Sequence, residues 1–440
     1  MASCEIGEVV LRATNTEKLV GRALDVPKPG TNFDGYLLQL EGWAIGREQP
    51  VVAIEVVHQG SNVWEIETGV QRLDVAAAFP GVSTAERSGF HDSLSTLRLL
   101  PDFELTLHCV LGDGARVVMG TIGGRRGPLK TSFEPSLRPL LITTLGRTGS
   151  TWLMRILDSC PGIVAYKPFE YEPRVSTYWM EVARALSEPA SYLQQVAPIG
   201  DVAGTWWLGS HAAKSRIHLH DSHLQRWLSD RSVEDVVLFC QARIDALYVE
   251  AARESGKPDA VYFAEKYLPE QTVPSLMREL YPSAREVILV RDFRDMVASI
   301  LAFNAKRGYA AFGRDRAKSD REYVMQLRSS VGSLMRRWQD AMDEVLLVRY
   351  EDLLLEPTAT VMRLLESLGL DASSEAVAAI ITRASRETRQ MRDHRTADAA
   401  IASIGRWKND LSTDLQAACE EAFGPALDAF GYELEPVALA

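Results

Sequence analysis

Hydrophobic positions along the chain follow two different periods. Between Asp34 and Ile122 they alternate with polar ones. Phe103, Leu105, Leu107, Cys109 and Leu111 are interleaved with Glu104, Thr106 and His108, and Gly112-Asp113-Gly114 supplies a hairpin turn. The runs YLLQLEGWAIG, VVAIEVVHQG and VWEIETG have the same strand character, and together they predict a small antiparallel β-sandwich domain. Beyond Pro139 short apolar runs (LLIT at 140, VYF at 261, VILV at 287, VLLV at 345) alternate with amphipathic helical segments, the pattern of an α/β domain with a parallel sheet. The Gly, Arg and Pro-containing stretch from Gly123 to Pro139 reads as a linker, and the first thirty residues, ending in PKPG, as a weakly structured lead-in. The expected organisation is a lead-in over 1–30, a β-sandwich-like accessory domain over 31–125, a linker over 126–137 and an α/β domain over 138–440.

The sharpest local pattern is LLITTLGRTGSTWLMRILD, from Leu140 to Asp158. An apolar run ends in Gly146-Arg147-Thr148-Gly149-Ser150-Thr151, after which Trp152, Leu153, Ile156 and Leu157 recur at helical spacing. Buried strand, tight turn and helix follow from that order. Gly149 lets backbone approach a ligand, the first helical N–H groups lack internal partners, and Ser150, Thr151 and Arg147 add donors, so the loop suits a phosphate or sulfate.

Composition narrows the class. With 440 residues, 46% of them hydrophobic and 24% charged, the chain is of ordinary globular make-up and long enough for two cores. A formal net charge of -11 argues against wholesale nucleic-acid binding and requires any anion site to be concentrated. Five cysteines without CxxC spacing read as reduced thiols. The N-terminal stretch shows no basic region followed by an apolar core, and no long apolar run is present, so a cytoplasmic protein without a membrane span is expected.

The loop at 146 lacks the lysine of a GxxxxGK[ST] motif. It resembles instead the loop of sulfotransferases that use 3'-phosphoadenosine 5'-phosphosulfate (PAPS): basic residue, small residue, glycine, two hydroxyl residues and tryptophan, here Arg147, Thr148, Gly149, Ser150, Thr151 and Trp152. Downstream, REVILVRDFRDMVAS places Arg291 at a strand end and Ser299 eight positions on, a pair suited to a terminal phosphate at the carboxyl edge of a sheet. The pairing is similar to that family's 3'-phosphate site. VLLVRYEDLLL and SIGRWKNDLS resemble its two later segments. The resemblance implies a P-loop-like sulfotransferase domain in which the loop wraps the 5'-phosphosulfate, Trp152 stacks near adenine, and Ser403, Gly405, Arg406 and Trp407 complete the 3'-phosphate and adenine pocket. Tyr350, Glu351 and Asp352 are expected to be structural. Arg392 and Arg395 could join the pocket, although an exposed charge cluster is usually a solvated face.

Sulfuryl transfer needs a base for the acceptor hydroxyl and cations for the leaving phosphate. In YKPFEYEPR, Glu170 falls where related carbohydrate and tyrosyl sulfotransferases carry a glutamate base, with Glu172 as the alternative. Arg147 and Lys266 are the expected cations. A guanidinium holds charge but cannot release its proton, which puts proton delivery by Arg147 in doubt. Tyr267 stands where the phenol and steroid branch has histidine, which points towards the carbohydrate and tyrosyl type.

The implied reaction moves the sulfuryl group from PAPS to an acceptor hydroxyl on a carbohydrate or glycolipid, leaving 3'-phosphoadenosine 5'-phosphate, with no metal. The alternative acceptor is a lipid or polyketide alcohol, suggested by Trp206, Trp207 and Trp227 in the insertion between Tyr171 and Val261. More distant alternatives are a nucleotide kinase or NTPase, and a non-catalytic nucleotide-binding protein. His211, His218, His220 and His223 nearly mimic a binuclear metal motif, but the aspartate of HLHDSH sits one place too early. RLDVAAAFPG followed by SGF loosely resembles β modules that accompany bacterial glycosyl- and sulfotransferases, which leaves a partner or glycan contact open for the β domain. There Trp43 and Trp64 could be sugar platforms, although aromatics on alternating strands are more often core.

Overall fold

The computed structural model of the chain describes residues 3–11, 17–34, 36–186, 222–269, 272–385, 396 and 400–434. They belong to two compact units, Met1–Phe133 with Thr177–Arg243, and Glu134–Ser176 with Ile244–Ala440. Each of the two is therefore assembled from two stretches of chain.

In the first unit nine strands run in sequence: β1 (Ser3–Val10), β2 (Leu19–Val26), β3 (Asn32–Asp34), β4 (Leu37–Gly46), β5 (Val51–His58), β6 (Ser61–Glu67), β7 (Gly89–Ser95), β8 (Asp102–Leu111) and β9 (Arg116–Arg126). They pair antiparallel into a six-stranded sheet, β3-β1-β9-β8-β5-β6, and a three-stranded sheet, β2-β4-β7. The alternation read from sequence sets the inner faces. Phe103, Leu105, Leu107, Cys109 and Leu111 of β8 are buried in one core with Leu38, Leu40 and Leu94 of the smaller sheet, which makes a sandwich.

The expected lead-in is corrected here. Residues 3–10 form β1 between β3 and β9, and residues 19–26 form β2 against β4. Cys4 and Ile6 face the shared core, a two-residue alternation too short to stand out from the charged residues around it. Both tryptophans are packed. The Trp64 indole N–H donates to the Asp92 carboxylate at 3.1 Å, with the Arg98 guanidinium over its ring. Trp43 lies against Phe79 at 5.7 Å between ring centroids.

The second unit carries five parallel strands, β10 (Arg138–Thr144), β11 (Ile163–Ala165), β12 (Tyr262–Tyr267), β13 (Arg285–Val290) and β14 (Leu346–Arg349), in the order β11-β12-β10-β13-β14. Four strands are nearly uniform apolar runs because helices cover the sheet, for example Leu153, Ile156 and Leu157 on one helix and Met296, Val297 and Ile300 on another. The chain leaves central β10 towards β11 and β12 on one side and later returns to β13 and β14 on the other. That reversal opens a crevice at the carboxyl edge beside β10, where ligands of open α/β sheets bind. Thr143 is level with Tyr267 and Thr144 with Leu289, while Val290 is level with Arg349. The residues that follow these strand ends therefore share one edge: the 146 loop, Lys266 and Tyr267, Arg291 and Tyr350.

Among the described residues no helix is long and apolar enough to cross a membrane. Trp206, Trp207, His211, His218, His220, Arg392 and Arg395 lie outside the described residues, and so do the side chains of His223 and Trp227.

Candidate functional site

A cavity of about 840 Å³ occupies the carboxyl edge, within the size range of small-molecule sites. Its rim begins at the loop between β10 and the helix Ser150–Ser159. Gly149 caps that helix with a φ of +89°, and a Cβ there would come within 2.2 Å of the Tyr350 ring; only glycine fits. Arg147 also has positive φ, +65°, uncommon for a residue with a side chain. Thr148 is turned inward, its hydroxyl bonded to the Thr144 hydroxyl at 2.6 Å and donating to the Leu145 carbonyl at 2.9 Å. What Thr148 can offer a ligand is its backbone. Ser150, Thr151 and Trp152 line the cavity directly, and among the described residues the buried Trp152 indole nitrogen has no hydrogen-bond partner.

Arg291 is only 4% exposed. It donates to two backbone carbonyls, Arg147 at 3.2 Å and Ser403 at 2.5 Å, and its guanidinium carbon lies 4.9 Å from the Tyr350 ring centroid. Among the described residues its Nε has no hydrogen-bond partner and it forms no ion pair with a carboxylate. The Asp295 carboxylate acts on it only at longer range, with both oxygens taken by backbone N–H groups, and a buried cation that forms no ion pair suits a ligand anion. Ser299, on the helix Phe293–Arg307, is joined to Arg147, whose Nε donates to the Ser299 hydroxyl at 3.2 Å. Burial first, then Arg291 alongside, lowers the Arg147 pKa to about 10, so the group stays charged at neutral pH.

The late loop divides. Ser403 lines the cavity, its hydroxyl 3.1 Å from the Tyr350 hydroxyl. Gly405, Arg406 and Trp407 are not among the lining residues. Trp407 is corrected from pocket to core: its buried indole sits among core side chains, with the Arg294 guanidinium 4.1 Å from its ring centroid. Arg406 pairs with Asp410 and donates to the Thr396 hydroxyl at 2.8 Å. Sequence reasoning missed the group that holds this loop. Asp295, fully buried, accepts from the backbone N–H of Gly405 at 2.7 Å and of Trp407 at 2.9 Å. Asp295 lies in the first turn of the helix that Asp292 caps, where an acidic residue is ordinary, so no local signal marked it.

Across the cavity, Lys266 is 4% exposed and ion-paired with Glu172, while also donating to the Glu170 backbone carbonyl at 3.3 Å. Burial lowers its pKa and the Glu172 charge partly restores it. Glu170 and Glu172 both line the cavity. Glu170 sits in the middle of three consecutive residues with positive φ, Phe169, Glu170 and Tyr171. That strained turn is tied down through Asp158, which accepts from Lys167 at 3.1 Å and from the Tyr171 hydroxyl at 3.3 Å. Tyr267 is no proton acceptor. It is hydrogen-bonded to Ser176 and to buried Glu265, and burial raises its pKa well above 10. Of the three expected reactive groups, the structure sets Glu170 and Lys266 on one side and Arg147 with Ser299. Of the segment expected to be structural, Glu351 accepts from the Asp292 backbone and the Tyr432 hydroxyl, whereas Tyr350 lines the cavity.

The remaining wall is apolar: Leu145, Met296, Ile300, Phe303, Phe312 and Leu327, with Phe169, 81% exposed, on the side of Glu170.

Comparison with known proteins gives the site its class. Similar solved structures include the sulfotransferase domain from the Synechococcus PCC 7002 olefin synthase, at 18% identity and a TM-score of 0.39 over 69% of this chain and 98% of that one. The sulfotransferase STF9 from Mycobacterium avium is similar at 16% identity and a TM-score of 0.35, over 69% of this chain and 79% of that one. A third is the sulfotransferase domain from the curacin biosynthetic pathway, at 13% identity and 0.36, over 69% and 100%. Likenesses this distant say nothing of the acceptor. No curated protein matches the sequence. Residues 139–374, more than half of the chain and including the loop, Arg291 and Ser299, match the sequence model of the Sulfotransferase family, and the chain belongs to that family of PAPS-dependent enzymes.

Proposed function

We propose that the cavity at the carboxyl edge transfers the sulfuryl group of PAPS to the hydroxyl of an acceptor with an apolar body, a lipid or polyketide-like alcohol. The observation that carries the donor half is Arg291: a buried guanidinium that among the described residues hydrogen-bonds only to carbonyls and has an unpartnered Nε, lining the same cavity as the N-terminal residues of a helix. Two anionic ends of one nucleotide suit those two places. The acceptor half rests on the apolar wall of Leu145, Met296, Ile300, Phe303, Phe312 and Leu327. A carbohydrate or glycolipid acceptor is the second reading, favoured by the polar rim of Arg155, Arg174, Glu170 and Glu172.

In this reading PAPS supplies a sulfuryl group on a good leaving phosphate. The Glu170 carboxylate takes the acceptor proton as the new S–O bond forms, and the bridging S–O bond breaks with its electron pair left on the 5'-phosphate. Lys266, held by Glu172 and the Glu170 carbonyl, and the N–H groups of Gly149 to Thr151 face the developing charge. Among the described residues nothing hydrogen-bonds to the Glu170 carboxylate, while Glu172 is occupied by Lys266, which makes Glu170 the better base. The two-domain division, with sulfotransferase chemistry in the C-terminal part and an accessory β domain before it, belongs to the same proposal.

The test is Glu170→Gln. Transfer should fall at least about a hundredfold while affinity for 3'-phosphoadenosine 5'-phosphate is unchanged. An unaltered transfer rate removes Glu170 from the base role.

A further inference from the structure

Three guanidinium groups gather around Ser299 and Thr396, with Arg147 and Arg291 lining the cavity and Arg406 outside its lining. The Arg147 side chain contacts the helix Phe293–Arg307. Its Nε donates to the Ser299 hydroxyl at 3.2 Å, and its guanidinium carbon lies 4.9 Å from the ring centroid of Phe303, one helical turn past Ser299. The Arg147 carbonyl meanwhile accepts from Arg291 at 3.2 Å. From the other side Arg406 donates to the Thr396 hydroxyl at 2.8 Å, and that hydroxyl is 3.4 Å from Ser299. Asp410 pairs with Arg406, whereas among the described residues Arg291 hydrogen-bonds to carbonyls and forms no ion pair.

Like charges brought together under partial burial repel, and each loses hydration. Such an arrangement is tolerable when a multiply charged anion accepts from the two that line the cavity, Arg147 and Arg291, and planar guanidinium forks suit phosphate oxygens. The positive φ of Arg147 adds backbone strain that the contacts to Ser299, Phe303 and Arg291 hold in place.

We propose that Arg147 is a specificity residue for the 3'-phosphate of the donor nucleotide, acting with Arg291 and Ser299, rather than a clamp on the sulfuryl-bearing end. This rests on the donor reading given above. It changes the division of labour: the 5' end is held by backbone N–H groups with Ser150, Thr151 and Lys266, while the loop arginine discriminates between nucleotides with and without a 3'-phosphate. It also explains how a group unable to give up its proton can stand in the loop, since a phosphate reader needs fixed charge and no proton transfer.

Calorimetric titration with adenosine 3',5'-bisphosphate and with adenosine 5'-monophosphate tests this without turnover. The wild type should prefer the bisphosphate. Arg147→Ala should weaken the bisphosphate about 10- to 100-fold and the monophosphate less than about threefold, reducing the preference itself. Arg147→Gln, which keeps a donor to Ser299 and guards against a folding defect in the alanine variant, should show the same selective loss. Equal losses for both ligands would make Arg147 a clamp on the 5' end and overturn the proposal, as would no loss for either. A wild type that binds both ligands equally overturns the donor reading itself.

Discussion

Asp295 fastens Trp407 to the nucleotide side of the fold by accepting its backbone N–H at 2.9 Å, and with its second oxygen it accepts from Gly405 at 2.7 Å. The carboxylate needs both oxygens for two donors. Burial raises its pKa from 3.8 to about 6, against the two backbone bonds and Arg291, which lower it. Between those pH values the folded chain keeps a proton that the unfolded chain has released. The contribution of Asp295 to stability therefore falls as pH rises from about 4 to about 6 and is constant above. Asp295→Asn should abolish this slope, read as the pH dependence of the stability difference between variant and wild type. At neutral pH the variant should also bind 3'-phosphoadenosine 5'-phosphate more weakly, by about 1 to 3 kcal/mol, because an amide cannot accept from both N–H groups.

Gly149→Ala meets two obstacles, the left-handed backbone and the Tyr350 ring 2.2 Å from the new Cβ. The ring is held from behind by Arg291 and Ser403 and cannot simply swing away. A loss of about 1 to 3 kcal/mol of stability is expected, measured by denaturant unfolding, together with loss of nucleotide affinity. Wild-type behaviour in both would show that the loop tolerates a side chain.

Glu172→Gln removes the charge that partly restores the Lys266 pKa. The alkaline limb of the pH–rate profile should move to lower pH while transfer at its optimum persists. If transfer disappears at every pH, Glu172 and not Glu170 is the base.

Arg291→Ala should weaken nucleotides that carry a 3'-phosphate by about 1.5 to 3 kcal/mol relative to those that lack it. The Ser403 carbonyl, which accepts from Arg291 at 2.5 Å, loses its donor as well. A modest drop in melting temperature is expected beside the affinity change.

Much of this was legible in the sequence because it depends on local order. The apolar run into Gly149 and the helical spacing after it specify strand, turn and helix. The eight-residue step from Arg291 to Ser299 spans a strand end and two helical turns. The alternation of Phe103 to Leu111 sets the sandwich face. Long-range placements were not legible. Nothing in RDFRDMVAS says that Asp295 turns inward to a loop more than a hundred residues away, or that Arg294 covers Trp407 and draws it into the core. The left-handed run at Phe169, Glu170 and Tyr171 contains no glycine to announce it. Which of two nearby glutamates takes Lys266 depended on that turn.

The central claim is sulfuryl transfer at this cavity, and sulfur-labelled PAPS offered to the full chain with a mixture of alcohol acceptors tests it most directly. The label should appear in an organic sulfate ester, an apolar-bodied alcohol ahead of sugars, with one 3'-phosphoadenosine 5'-phosphate formed per ester. Label retained on the donor, alongside transfer of the terminal phosphate of ATP to the same acceptors, would contradict the account.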